Sequence, residues 1–231
     1  MALLVDDLAF RFNITISQVS SVFTTWIKFL SKELGVLIVW PSKLQVKKSL
    51  PYCFKKIYPK CRVIIDCSEV FTETPTALDV AAALWSEYKH HRTIKFLVAI
   101  TPRGAVSWVS PIYGARASDI HIVRDSRFLN QIERYDLVLA DRRFKIREEL
   151  LTMGANLAIP PSSAASMQMC ARDVRQTSQI ANVRIHVERA IRRIKVFRIL
   201  KQEMPVSVLP LADDIVVVCA ALSNLQGLLI V

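Results

Sequence analysis

Three acids stand where they could share one piece of chemistry: Asp66, Asp141 and Glu188. Asp66 closes the β-branched run Val63-Ile64-Ile65, and Asp141 follows Val138-Leu139-Ala140. In an α/β sheet, ligands gather just past the carboxyl ends of the strands. Two neighbouring strands ending in aspartate would bring both carboxylates to one spot. Such carboxylates repel each other unless a cation lies between them. Hard oxygen donors of this kind suit Mg2+ or Mn2+. Glu188 is the only acid between Asp173 and Glu203, in a stretch read as a long helix. It follows Val187, so it sits about 100° around from that core position. Each acid also has a plainer reading. An aspartate after a strand is commonly a turn residue or helix cap. A helical glutamate commonly pairs with a basic residue four positions away, here Arg184 or Arg192. The order strand, strand, long helix leaves both readings open.

The elements that must position these acids follow from pattern. Cys61 to Ile65 and Thr93 to Ile100 read as strands, Ala105 to Ser110 as a return strand after a turn at Pro102 to Gly104, and Leu137 to Ala140 as a further strand. Ser118 to Phe128 and Lys145 to Met153 read as helices, the second closed by Gly154. Asn156 to Ile159 is a short strand stopped by Pro160-Pro161. Pro75 to Lys89 is an excursion between strands. Thr177 to Lys201 carries Val183, Val187, Ala190, Ile194 and Phe197 on one helical face. Ile215 to Gln226 is apolar nearly all round, which marks a buried helix. Strands interleaved with helices in this way predict an α/β layered domain over residues 61–231.

Ahead of it, Asp6 or Asp7 caps a helix ending at Phe12. Thr15 or Ser17 caps a second one, with Val19, Val22, Phe23, Trp26, Ile27 and Leu30 on one face. Residues 1–35 thus read either as a helix-turn-helix or as an ordinary helical hairpin packed on the main domain. Residues 36–60, with Lys43, Lys47, Lys48, Lys55 and Lys56, read as a basic connector. Trp26, Trp85 and Trp108 lie in apolar patterns and are expected in the core.

Composition narrows the class. The chain is 52% hydrophobic and 22% charged, too apolar for a disordered tail. Its longest clean apolar run, Ile215 to Leu222, is far short of the 18 or so residues that span a bilayer. Five cysteines, Cys53, Cys61, Cys67, Cys170 and Cys219, with no CxxC or HxxxH spacing, argue against a disulfide framework or a zinc site. The start has two early aspartates and no basic region, unlike a secretory signal. Free thiols and a nuclear location, or a cytoplasmic one, are expected. The net charge of +11 favours a polyanionic partner. It concentrates between Arg172 and Lys201, where nine basic residues meet two acids. Arg184, Arg189, Arg192 and Arg193 would share the polar side of the helix with Glu188, as a track for phosphates beside the acids.

The residues themselves carry a resemblance. The stretches are Ile65-Asp66-Cys67-Ser68-Glu69; Tyr88-Lys89 with Thr93-Ile94-Lys95; Gly104 with Val109-Ser110; Tyr113-Gly114 with Ser118-Asp119; Ala140-Asp141-Arg142 with Phe144; Ile159-Pro160-Pro161; and Arg184-Ile185-His186-Val187-Glu188-Arg189. In this order they resemble the DDE superfamily endonucleases related to harbinger-type transposases. Leu8 to Phe12, with Ser17 and Trp26, is similar to the helix-turn-helix that precedes the nuclease domain in many relatives. The resemblance covers nearly the whole chain. It implies an RNase H-like mixed sheet flanked by helices, with a small helical N-terminal segment. It implies Asp66, Asp141 and Glu188 as catalytic and metal-ligating residues of a two-metal site taking Mg2+ or Mn2+, acting by phosphodiester hydrolysis and strand transfer. It implies double-stranded DNA as substrate, a homo-oligomer, and a separate DNA-binding partner protein; no membrane partner is expected. Two departures bear on activity. Relatives usually carry glycine where this sequence has Arg143, and tend to carry one where it has Ala115. The alternative is therefore a domesticated transposase, weakened or inactive, that acts as a DNA-binding or protein-interaction factor. Asp119 and Glu69 also lie in the matching motifs. Asp119 is expected to support the site or the fold, and Glu69 to point away from Asp66.

Overall fold

The computed structural model describes residues 5–160, 171–227, 229 and 230, excepting the side chains of 171–176. Pro161 and Cys170 lie outside the described residues, as do the side chains of Arg172, Asp173 and Arg175.

Two helices lead the chain, α1 (Val5–Phe12) and α2 (Ile16–Gly35). Thr15 caps α2 in a reciprocal box with Gln18: the Thr15 hydroxyl accepts from the Gln18 N–H, and Gln18 accepts from the Thr15 N–H. Val19 is buried, and Phe23 and Ile27 pack on the core. Trp26 is 56% exposed on the other side of α2, beside Phe29. The expectation of a core Trp26 is thus corrected: its helical row is wider than the surface that covers it. Trp85 and Trp108 are half-buried. The lysine-rich stretch expected as a connector instead forms α3 (Lys43–Lys48) and α4 (Tyr52–Ile57). These helices and their link bury Val46, Leu50 and Phe54 in the main core while Lys47, Lys48, Lys55 and Lys56 are exposed.

The sheet begins with β1 (Cys61–Phe71), followed by α5 (Leu78–Ala83), β2 (Trp85–Ser86), β3 (His91–Ile100), β4 (Val106–Val109) and β5 (Tyr113–Gly114). Next come α6 (Asp119–Asp125), β6 (Leu137–Leu139), α7 (Arg147–Thr152) and β7 (Asn156–Ala158), then α8 (Ala171–Ile194), α9 (Arg198–Lys201) and α10 (Ala212–Asn224). The β3–β4 turn passes through Gly104 at φ +88°, and α7 ends at Gly154 at φ +71°. Both are conformations that a side chain disfavours. Strand β1 is central. It pairs antiparallel with β3 and parallel with β6, while β4 lies antiparallel on β3 and β7 parallel on β6. The order β2–β3–β1–β6–β7, with β4 and β5 also paired to β3, is an RNase H-like mixed α/β sheet.

Alternation along the strands sends side chains to two faces. Ile64, Val70, Phe96, Val98 and Ile100 pack with Val183, Val187, Ala190 and Ile194 of α8 and with α10. Val63, Ile65, Leu97 and Ala99 pack against Ile122, Phe128, Phe144 and Leu150. The long basic helix expected to run to Lys201 breaks after Ile194 and resumes as α9. One helical stretch, Val206–Asn224, is apolar enough by length and composition to cross a membrane, with mean hydropathy 1.9. It contains Pro210, Asp213 and Asp214, and its α-helical part is the core helix α10, where Ile215, Val216, Cys219 and Ala220 are buried.

Candidate active site

Asp66 is not at a strand end. Strand β1 continues five residues beyond it, because Ser68 and Val70 keep the inward alternation and Phe71 still pairs with Thr93. The two aspartates nevertheless lie level. Ile64 pairs with Leu139 across the parallel β1–β6 ladder, and each aspartate follows its own member of that pair by two residues. Asp141 leaves the sheet there, with the Arg142 N–H donating to its Oδ1 at 2.6 Å. Asp66 points to the face covered by α8.

Helix α8 completes the group. Its stripe of Val183, Val187, Ala190 and Ile194 is buried against the sheet, which sets Arg184 and Glu188 at the edge of the contact. The Arg184 guanidinium lies between the three acids. Its Nη2 is 3.6 Å from Asp66 Oδ2 and 3.6 Å from Glu188 Oε1, and its Nη1 is 3.4 Å from Asp141 Oδ1. Three carboxylates from β1, from the loop after β6 and from α8 therefore converge on one cation. This is the partner role expected for Arg184 toward Glu188, extended to both aspartates. It also corrects the placing of Arg184 on the phosphate track, since its side chain is only 16% exposed and turned toward the acids.

A second cationic arm reaches the group from the loop after Asp141. Arg143 Nε lies 3.6 Å from Asp141 Oδ2 and 3.4 Å from Asp119 Oδ2. Arg143 has no positive φ, so the backbone here does not require glycine. Asp119 is buried at the start of α6 and meets Lys95 Nζ at 2.5 Å. Lys95 is itself buried in β3 and also donates to the Ala117 carbonyl. Asp119 thus anchors both Lys95 and Arg143. The sequence did hold a signal for this pair: a single lysine in the apolar run Thr93 to Ile100 must find an acid when buried. Glu69 does lie away from the acids, accepting from the Thr93 hydroxyl at 2.9 Å.

Burial pushes the Asp66 carboxyl up from 3.8 to about 6, despite the opposing pull of Arg184, the Cys67 N–H and Arg143. The Cys67 N–H donates to Asp66 Oδ1 at 2.9 Å. A carboxylate that remains strained with two guanidinium groups nearby has room for more positive charge. By type, the donor set fits a hard divalent cation. By spacing, no group of three His, Cys, Asp or Glu among the described residues is arranged to hold a metal. In this arrangement the Arg184 guanidinium occupies the space between the carboxylates. The four described cysteines are free thiols, with Cys61 and Cys219 buried.

Of the expected phosphate track, Arg189 and Arg192 are exposed on α8 next to Glu188. Arg193 is half-buried and donates to the Gly227 carbonyl at 2.5 Å.

A family profile described as DDE superfamily endonuclease matches residues 65–224. The chain belongs to the DDE superfamily endonucleases. The match starts at the residue before Asp66 and ends with α10, so all three acids, Arg184 and Asp119 fall inside it. Comparisons with curated proteins and with solved structures give no match.

Proposed function

We propose that this DDE superfamily endonuclease cuts double-stranded DNA in a divalent-metal-dependent reaction centred on Asp66, Asp141 and Glu188, and that the same site serves transposase-like strand transfer. The observation that carries the reading is the convergence of these three acids, from three separate elements, on a single central cation. Asp66 and Asp141, level on neighbouring strands, would hold the ions, and Glu188 would complete the set from α8. When bound, two divalent ions supply an activated attacking oxygen and charge stabilisation of the leaving oxygen. The chain's own part is to fix the geometry. Strand register sets the aspartates level, the apolar stripe of α8 holds Glu188 against them, and Asp119 ties down Lys95 and Arg143. Arg189 and Arg192 would bind backbone phosphates alongside.

Residues 1–35 hold three basic and three acidic side chains, and the outer side of α2 presents Val22, Trp26 and Phe29. Charge therefore supports DNA contact on α8 and not on this hairpin. A separate partner protein for end recognition and a homo-oligomer both fit that division.

The test is nicking of supercoiled plasmid with Mg2+ or Mn2+ by wild type and by Asp66→Asn, Asp141→Asn and Glu188→Gln. Metal-dependent cutting by wild type, lost in all three variants, is expected. A second reading, a DNA-binding factor that has lost the reaction, is favoured by one feature: Arg143 and Arg184 both sit on the acids. Under that reading wild type binds DNA without cutting it, and Arg143→Gly restores nicking.

A further inference from the structure

The hairpin between β2 and β3 carries a side chain that the acid cluster does not use. Tyr88 sits at its tip and is 73% exposed. The tip is held in shape. Ser86 is buried, its hydroxyl accepts from the Lys89 N–H at 3.2 Å, and His90 turns the chain at φ +51°. At the hairpin's base Arg92 lies over the Trp85 ring at 5.6 Å. Two cations lie over the Tyr88 ring. Lys89 Nζ is 4.7 Å from its centroid, and Arg143 Cζ is 6.0 Å from it. Arg143 is the residue that also reaches Asp141 at 3.6 Å. Among the described residues, Tyr88 is the exposed aromatic joined through one side chain to the acid cluster.

A largely exposed ring with two cations over it is a surface on which a nucleobase stacks when those cations turn from the ring to its phosphates. A base inside a duplex already has both faces covered by its neighbours. An unpaired base can bring a free face to the ring, and at a blunt duplex only the end pair has one. We propose that Tyr88, with Lys89 and Arg143, is a stacking platform for an unpaired nucleotide of a single-stranded DNA end lying next to the bond to be cut. The platform rests on the endonuclease reading and adds the form of DNA that the site takes. It tolerates any base, since every base offers a stacking face. It orders the frayed end and so places the adjoining phosphate toward Asp141.

The experiment measures binding of the full-length chain, in EDTA and at low salt, to two fluorescent DNAs by anisotropy. One is a blunt duplex. The other is the same duplex with a short single-stranded overhang containing 2-aminopurine, whose fluorescence falls on stacking. Wild type is expected to prefer the overhang DNA and to quench the 2-aminopurine. Tyr88→Ala should lose that preference, by roughly 5- to 150-fold in affinity for the overhang, and lose the quenching, while blunt-duplex affinity stays. Tyr88→Trp should retain both. Equal overhang affinity and quenching in wild type and Tyr88→Ala would overturn the platform and leave the endonuclease reading standing. Failure of wild type to bind either DNA would overturn both.

Discussion

Replacing Asp66 with asparagine should make the metal-free protein more stable at pH 8, although it removes an acid from the site. The Asp66 side chain is 11% exposed, so little solvent screening reduces the effect. Its carboxyl ionises at about 6 in the folded chain against 3.8 ordinarily, a gap worth about 3 kcal/mol. Because the folded value is the higher one, the stability of the protonated form is fully present below pH 3.8 and is lost as pH rises through 6. The value near 6 already contains the attraction of Arg184, so the 3 kcal/mol is a net penalty. Arg184 would keep Asp141 and Glu188 as partners in the variant. Asp66→Asn should therefore gain about 3 kcal/mol at pH 8, shrinking to about 0.5 kcal/mol at pH 4. For a chain of this size that is a rise in Tm of roughly 6–12 °C at pH 8. Differential scanning calorimetry in EDTA at the two pH values reads it directly. Added Mn2+ should then raise the Tm of wild type and not of the variant. A variant less stable than wild type at pH 8, or an equal shift at both pH values, would show that Arg184 outweighs the burial and that the reasoning is wrong.

Other outcomes follow from the same contacts. Arg184→Gln should tighten Mn2+ binding in calorimetric titration by roughly tenfold or more, since a competing unit charge about 4 Å away is worth up to about 4 kcal/mol at an effective dielectric near 20; unchanged or weaker binding would remove its role as the internal counter-ion. Arg189→Ala and Arg192→Ala should each weaken DNA binding without regard to sequence and flatten the plot of log affinity against log salt by about one unit, measured by anisotropy across a salt series. At the start of β1, Arg62 and Asp136 are both nearly fully buried with Nε and Oδ2 3.5 Å apart. Asp136→Ala leaves that guanidinium with the exposed Glu133 and with the Trp40 ring, and should cost about 3–5 kcal/mol in urea unfolding.

Several parts of this molecule are written locally and were legible for that reason. The cap of α2 is complete within Thr15 to Gln18. The buried stripe of α8 repeats at helical spacing from Val183 to Ile194. The all-round apolar helix after Asp214 reads as a buried helix, and its residues pack in the core. Motif order alone led from Asp66 and Asp141 to Glu188, and the family match covers all three. Other parts were misread because pattern states which residues share a face, and not what covers it. Val22 and Trp26 lie along the same apolar row as Val19 and Phe23, yet the core reaches only one side of that row. The lysines between Lys43 and Lys56 read as a connector because charge hid the spacing of Val46, Leu50 and Phe54.

The sequence by itself determined the three acids, their order on strand, strand and helix, and the basic helix that carries the last of them. Tertiary structure alone decided that Asp66 lies within a strand and still level with Asp141, because β1–β6 register is a pairing between segments more than seventy residues apart. It also decided the charge at the centre. Arg184 and Glu188 are helical neighbours in any α8, but only the packing of that helix on β1 turns the guanidinium inward to meet both aspartates. The same packing shields Asp66 from water, and that burial is why its carboxyl resists ionisation.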